Sequence, residues 1–265
     1  MSSSSTARMG GKTSALQPFI LNNPNQPRET PMTHGLRIGL LVPSSNTTME
    51  PDFYSMAPMG VTIHTARMRL SRVTPEALIL MAEDTERAAG LLADAGVDII
   101  VYGCTTGSLV GGVEWEEGLV GRIEEETGIP AVSTSSAVVD ALRSLEARRI
   151  GVATPYSEEL NGLEESFLED LGFRVTEIHG LGLLDNLDIG RVHRGTLEKL
   201  VRSVAEEADA VFVSCTNLPV VGLIEGFEKE FDRPVVTSNQ ASIWAALRGR
   251  ESPEVDGFGE LMRRL

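Results

Sequence analysis

The strongest constraint on the fold is an internal duplication. The segment RIGLLVPSSNTTMEPDF begins at Arg37, and a similar segment, RIGVATPYSEELNGLEESF, begins at Arg149. In each, a short apolar run ends in a proline, and small polar residues then lead into an acidic, helix-like stretch. Two more pairs align: GVDIIVYGCTT with EADAVFVSCTN, and IPAVSTSSAVVDAL with RPVVTSNQASIWAAL. We therefore predict that the chain encodes one α/β unit twice, as two similar lobes.

Short apolar runs and longer amphipathic segments alternate along both halves. Runs such as LRIGLLV and VDIIVYG are typical of buried parallel strands. The segment TPEALILMAEDTERAAGLLADAG predicts one long helix with Thr74 as N-cap and Pro75 at its first position. EWEEGLVGRIEEETG predicts a helix that ends at Gly128. LDIGRVHRGTLEKLVRSVAEEA and PVVGLIEGFEKEF each predict one further helix. This alternation indicates parallel sheets with right-handed crossovers.

The predicted domain organisation follows from the duplication. Residues 1–33 are rich in Ser, Asn, Pro and Gly without a sustained period, and we predict a disordered N-terminal extension there. We assign residues 36–133 and 240–265 to lobe one and residues 134–239 to lobe two.

Composition narrows the class of function. The 265-residue chain has a formal net charge of −15, which argues against nucleic acid and anionic membrane surfaces as partners. The two cysteines cannot form a disulfide framework, and the four histidines (His34, His64, His179 and His193) lack the spacing of metal ligands. No apolar stretch is long enough to span a bilayer, and no segment resembles a signal peptide. We expect a cytoplasmic protein that forms a homo-oligomer and binds neither nucleic acid nor membranes.

The unusual polar residues follow the predicted strands. In open α/β sheets, ligands bind outside the carboxyl ends of the strands. The residues at these positions are Ser44, Ser45, Asn46, Cys104, Thr105 and Thr106 in lobe one, and Thr154, Tyr156, Cys215, Thr216 and Asn217 in lobe two. A buried cysteine is often just a small apolar side chain. Here both cysteines occupy equivalent positions, each followed by threonine. If the lobes face each other about a pseudo-twofold axis, the two thiols converge on one cleft.

These residue types predict thiol chemistry on a small carboxylate. The thiolate is the reactive form of cysteine, and helix N-termini and hydrogen-bond donors lower its pKa. We expect both cysteines to lie where a strand passes into a helix, with this effect on each. The same donors would bind the carboxylates of a small dicarboxylate. The sequence shows no dinucleotide fingerprint, metal-ligand cluster or evident pyridoxal lysine, so we expect no cofactor.

Three segments carry a family resemblance. VPSSNTTMEPDF, GCTTGS and SCTNL resemble the maleate cis-trans isomerases of the aspartate/glutamate racemase superfamily, which also includes the arylmalonate decarboxylases. The resemblance extends from Leu36 to Leu265. It implies two flavodoxin-like lobes with the active site in the cleft between them and no cofactor. The sequence departs from the pattern at Thr106, where many of the isomerases carry serine.

The resemblance also implies roles for individual residues. Cys104 corresponds to the nucleophile and Cys215 to the acid/base cysteine. Asn46, Tyr156 and Asn186 correspond to residues that hold the substrate.

Several activities remain open at the level of sequence. An isomerase would convert maleate to fumarate through a cysteine adduct. A two-thiol amino-acid racemase would need an acidic partner for the substrate ammonium group, for which Glu50 and Asp52 are candidates. An arylmalonate decarboxylase would need the second cysteine alone, so the presence of Cys104 argues against that activity. A superfamily enzyme of ectoine degradation and a non-catalytic two-lobed binding protein are further alternatives.

Overall fold

The computed structural model describes Met1, residues 35–250 and residues 255–265. Apart from Met1, the predicted N-terminal extension over residues 1–33 lies outside the described residues. The two lobes are described from Gly35 onward.

The described strands form two parallel sheets of four strands each. The first sheet contains β1 (Arg37–Pro43), β2 (Thr62–Met68), β3 (Ile99–Tyr102) and β4 (Ala131–Ser133), in the spatial order β2-β1-β3-β4. The second contains β5 (Arg149–Thr154), β6 (Arg174–Gly180), β7 (Ala210–Val213) and β8 (Val235–Thr237), in the order β6-β5-β7-β8. The two orders are identical, which confirms the predicted duplication of one α/β unit.

Helices connect and flank these strands. Those in the described residues are α1 (Met49–Met56), α2 (Pro75–Ala82), α3 (Thr85–Asp94), α4 (Thr105–Leu109), α5 (Val113–Thr127), α6 (Thr134–Ser144), α7 (Glu158–Asp170), α8 (Asn186–Ile189), α9 (Arg194–Arg202), α10 (Ile224–Phe231), α11 (Ser238–Leu247) and α12 (Gly259–Met262), with a 3-10 helix at Val221–Leu223. None of them combines the length and the apolar character needed to cross a membrane.

Two predicted helix ends are confirmed at the level of single hydrogen bonds. The Thr74 hydroxyl accepts a hydrogen bond from the Ala77 amide at 3.4 Å, and Pro75 occupies the first helical position of α2. At the end of α5, Gly128 is left-handed, with φ of 67°, and its amide donates back to Glu124. Only glycine adopts this conformation without a steric cost from Cβ, so the residue type determines where the helix stops.

Three helix predictions were wrong in extent. The long helix predicted from Thr74 is two helices. The Glu83 amide bonds back to Leu80 in a tighter turn that ends α2, and Asp84 is then the N-cap residue of α3. The helix predicted over LDIGRVHRGTLEKLVRSVAEEA is likewise divided into α8 and α9. The helix predicted from Pro219 begins at Ile224, after the 3-10 helix.

The last helices of the two duplicated series pack against each other. Helix α6 follows β4 and helix α11 follows β8, and the two are in extensive contact. The Ser242 hydroxyl of α11 donates to the Thr134 hydroxyl of α6 at 3.0 Å. Because these helices are equivalent by duplication, the contact relates the two lobes as a pseudo-twofold pair. The exact division of residues 36–265 between the lobes stays a prediction, since α11 also contacts α1.

Candidate active site

The two cysteines follow the equivalent central strands β3 and β7 and are both buried. Several contacts place them in one site. The Thr105 hydroxyl, next to Cys104, donates to the Ser238 hydroxyl at 2.9 Å. The same Ser238 hydroxyl accepts from the amide of Cys215 at 3.0 Å. A charge on Cys215 also raises the pKa of Cys104. One serine therefore joins the two cysteine turns across the lobes.

Cys104 is the N-cap residue of α4 and has an extended backbone. Its thiol accepts hydrogen bonds from the Gly107 amide and the Thr106 hydroxyl, and both interactions lower its pKa. Burial acts in the opposite direction and is the larger effect, so the pKa of Cys104 rises to about 12.

Cys215 lies in a different kind of turn. It is left-handed, with φ of 108°, an unusual conformation for a residue that carries a Cβ. The amide of Asn217 donates to its sulfur at 3.4 Å, and the Tyr156 hydroxyl forms a second hydrogen bond. Burial again outweighs these donors and raises the pKa of Cys215 to about 11.

The expectation of lowered cysteine pKa values at two strand-to-helix junctions was therefore wrong. No described helix directly follows Cys215, and α4, which follows Cys104, has five residues. A helix of that length carries a small dipole, whereas taking a thiolate out of water is costly. With pKa values of about 12 and about 11, both thiols are protonated at neutral pH.

A cluster of asparagines connects the polar turn after β1 to the turn after β7. The Asn46 amide donates to the Thr216 hydroxyl at 3.0 Å, and the Asn217 side-chain oxygen accepts from the Thr47 amide at 2.9 Å. The Asn186 side chain donates to the Ser45 hydroxyl at 2.9 Å. These bonds place the predicted polar residues of both lobes around one site.

Asn46 also shapes its own turn. Its side-chain oxygen accepts from the amides of Thr48 and Met49 at 2.9 and 3.0 Å, which satisfies the first amides of α1.

Two predicted residues form hydrogen bonds that hold turns of the protein in place. Ser44 is exposed at the rim, where its hydroxyl exchanges hydrogen bonds with the backbone of Leu70. Thr154 donates to Asn161 at 2.6 Å and accepts from the amide of Tyr156 at 3.1 Å. Thr154 thus holds the turn that presents Tyr156.

The acidic residues considered for an ammonium site are both engaged. Glu50 forms an ion pair with Arg67. Asp52 accepts a hydrogen bond from the Asn239 side chain at 2.6 Å, and burial raises the pKa of Asp52 to about 6.

Sequence reasoning missed three buried residues at this site: Ser238, Asn239 and Glu164. The first two begin α11, and Asn239 also donates to the carbonyl of Thr216 at 3.0 Å. Their signal was present in the alignment of RPVVTSNQ with IPAVSTSS, which places polar residues at the end of β8. Glu164 lies inside an acidic helix, where the sequence gives no sign that this carboxyl points inward.

Within residues 35–250 and 255–265, no group of three or more His, Cys, Asp or Glu side chains has the geometry of a metal site. The groups that hydrogen-bond to the two cysteine turns are amides and hydroxyls, and the Glu164 carboxyl bonds to Ser214 beside them.

Comparison with known proteins agrees with this geometry. The family model described as arylmalonate decarboxylase matches residues 38–262. A maleate isomerase of Nocardia farcinica is 34% identical over 240 residues, which cover 86% of this chain and 96% of the relative. An arylmalonate decarboxylase of Bordetella bronchiseptica is 29% identical and covers 84% and 95% of the two chains.

A solved structure extends the comparison to the site. It is a Nocardia farcinica maleate cis-trans isomerase in which one cysteine is replaced by serine and a succinylcysteine intermediate is covalently bound. It superposes with a TM-score of 0.83 at 32% identity, covering 87% of this chain and 99% of that one. The chain therefore belongs to the family of maleate isomerases and arylmalonate decarboxylases, and it is an isomerase similar to maleate cis-trans isomerase.

Proposed function

We propose that the protein converts maleate, or a similar small cis-dicarboxylate, to the trans isomer through a covalent cysteine adduct. The observation that carries the proposal is the convergence of two buried thiols, one from each lobe, in a site surrounded by amides and hydroxyls. A binding protein would need no such pair. The covalent succinylcysteine in the similar solved isomerase supports the same chemistry.

In the proposed reaction Cys104 attacks as a thiolate, having lost its proton to solvent. Its sulfur bonds to one alkene carbon, and the Cys215 thiol gives its proton to the other. The former double bond is now single and rotates. The Cys215 thiolate then takes the proton back, the Cys104–carbon bond breaks, and the trans alkene leaves. Atoms and charge balance without a further reactant.

The two cysteines have neighbours that suit these roles. The amide of Gly107 and the hydroxyl of Thr106 stabilise a thiolate on Cys104, because both are donors. Cys215 lies beside Tyr156, whose hydroxyl can stabilise the thiolate left after proton transfer.

We assign the substrate carboxylates to polar side chains of α8 and of the turns that follow β1, β3, β5 and β7. These are Ser44, Ser45, Asn46, Thr105, Thr106, Tyr156, Asn186, Thr216 and Asn217. Neutral donors bind a dianion with less desolvation cost to themselves than a buried lysine or arginine, and they orient it by geometry.

Proton NMR of the purified protein with candidate substrates in separate tubes tests the proposal. We expect maleate to be converted to fumarate. Conversion of an arylmalonate or of D- or L-aspartate or glutamate, with maleate unchanged, would replace isomerisation by decarboxylation or racemisation. If the protein converts none of these compounds, the proposed substrate class is wrong.

A further inference from the structure

A buried carboxyl lies directly behind the Cys215 turn and has no part in the reaction just described. Glu164 of α7 is fully buried. One of its oxygens, Oε1, accepts a hydrogen bond from the Ser214 hydroxyl at 2.6 Å, and Ser214 immediately precedes Cys215. The other oxygen, Oε2, has no hydrogen-bond partner among the described residues. An unsatisfied buried carboxyl is costly to the fold, which calls for an explanation.

Glu164 lines an internal cavity beside the Cys104 turn. The cavity has a volume of about 10 Å³, and its walls include Thr105 of α4, Ser135 of α6 and Phe212 of β7. A space of that size holds at most a single water molecule, so Glu164 does not bind substrate directly. It can act on the reaction only through its neighbours.

The neighbours it acts on are two groups of the site. Burial is the main cause of the raised pKa of Cys215, and the Glu164 charge raises it further. The same charge raises the pKa of Tyr156, again after burial and the charge on Cys215. Burial brings the pKa of Glu164 itself to about 7, so its charge changes around neutrality.

No other described charge competes at this position. Helices α4 and α6 and strand β7 present hydroxyl and apolar side chains to the cavity. The charged side chains of β6, which packs against α7, are exposed: Arg174, Glu177 and His179. The titratable groups whose pKa the Glu164 charge raises are therefore Cys215 and Tyr156.

We propose that Glu164 is a positioning residue that controls the proton on Cys215 from behind, through its charge and through Ser214. The inference rests on the proposed function in one respect, the role of Cys215 as proton carrier. When Cys215 has given its proton to the substrate carbon, an ionised Glu164 disfavours the resulting thiolate. The thiolate then takes the proton back more readily, which breaks the Cys104–carbon bond and releases product.

The test compares the pH dependence of iodoacetamide alkylation at each thiol, quantified by mass spectrometry of digested peptides. Glu164→Gln keeps the shape and removes the charge. We expect Cys215 to be alkylated about tenfold faster than in the wild type at pH 8 to 9, equivalent to one pKa unit. The Cys104 profile in the same samples should change less, because Glu164 acts on that thiol through the charge on Cys215.

Two more variants complete the design. Ser214→Ala removes the hydrogen bond that lowers the pKa of Glu164, so it should shift the Cys215 profile in the same direction even if Glu164→Gln folds poorly. Glu116→Gln is the matched control, because Glu116 is also buried and accepts a hydrogen bond from a serine, Ser133, in the other half of the chain. It should leave both profiles unchanged.

Turnover with maleate adds a second readout. Glu164→Gln should leave KM unchanged and remove a pH inflection of kcat near 7. A wild-type Cys215 alkylation profile in both Glu164→Gln and Ser214→Ala overturns the proposal. Because alkylation needs no substrate, failure of maleate turnover in the wild type would count against the proposed function and leave the role of Glu164 to be judged separately.

Discussion

The turns that carry Cys104 and Cys215 are equivalent by duplication and differ in their surroundings. Cys104 caps a short helix, and the Gly107 amide and the Thr106 hydroxyl lower the pKa of its thiol. Cys215 lies in a left-handed turn with Tyr156 on one side and the Glu164 carboxyl behind it. Donors lower the pKa of both thiols and burial raises both by more, so the nearby Glu164 carboxyl and the Tyr156 hydroxyl are what distinguish the Cys215 turn. In the function proposed above, this difference separates Cys104, the proposed nucleophile, from Cys215, the proposed proton carrier.

The largest expected effect separates these two roles directly. Cys104→Ala removes the atom that forms the covalent bond, so turnover of maleate should fall by roughly four orders of magnitude or more. Cys215→Ser retains a weak proton carrier and should lose roughly 10²- to 10⁴-fold, the usual contribution of general acid–base catalysis.

Intact-mass spectrometry then tests the assignment. Cys215→Ser incubated with maleate should carry a succinyl group that maps to Cys104 after digestion. An adduct found on Cys215 in the Cys104→Ala protein would reverse the two roles. Deuterium exchange at a substrate α-carbon with no adduct on either thiol would favour the racemase.

The second expected effect concerns stability and has no counterpart at the Cys104 turn. The pKa of Glu164 is raised by burial from its ordinary value of 4.5 to about 7. Between these values the folded protein holds a proton that the unfolded chain has lost, so stability falls as pH rises from 4.5 to about 7 and then levels off. The loss amounts to about 3 kcal/mol at 1.36 kcal/mol per pKa unit.

Urea denaturation at pH 5 and pH 8 measures this loss. Glu164→Gln should show a smaller decrease in unfolding free energy between the two values than the wild type. Asp52, whose pKa is also raised by burial, contributes equally to both proteins and cancels in the difference. Equal decreases in the variant and the wild type would mean that Glu164 is charged at both pH values.

The contrast between the two turns also marks the limit of what the sequence predicts. The duplicated α/β unit and the placement of both cysteines at strand ends follow from local patterns, because apolar runs define strands and parallel strands end at one edge. The apolar period did not predict the split between α2 and α3. The helical spacing of the apolar residues continues across Asp84, where one helix gives way to the next. Glu164 and the raised thiol pKa values depend on burial by residues distant in sequence, which no local pattern encodes.

A third test addresses the residue that both turns share. Ser238→Ala leaves the buried Cys215 amide and the Thr105 hydroxyl without their common partner. An unsatisfied buried group costs about 1–3 kcal/mol, and kcat should fall as the two turns lose their fixed separation. Ser242→Ala is the matched control on the same helix, because Ser242 is also buried and its hydroxyl bonds to Thr134 and to the Ser238 carbonyl, not to either cysteine turn's side chains.

The two serine variants should agree in melting temperature and differ in kcat. Both serine variants should lower the melting temperature, whereas a large loss of kcat should accompany Ser238→Ala alone. Equal losses of kcat would show that α11 acts on the site as a whole and that Ser238 has no special position between the turns.

The smallest expected effect compares the two thiols in the unmodified protein. Burial raises the pKa of Cys104 to about 12 and that of Cys215 to about 11, and the Tyr156 hydroxyl is a donor to Cys215 that Cys104 lacks. Both thiols should therefore react slowly with iodoacetamide at pH 7, with rates that rise about tenfold per pH unit up to pH 10. Across this range Cys215 should hold the larger share of thiolate, because its pKa is the lower of the two. Tyr156→Phe removes the donor and should reduce this difference, since the pKa of Cys215 then rises towards that of Cys104. A ratio that Tyr156→Phe leaves unchanged would show that the difference between the thiols comes from access to the reagent, and the contrast between the two turns would then be one of shape alone.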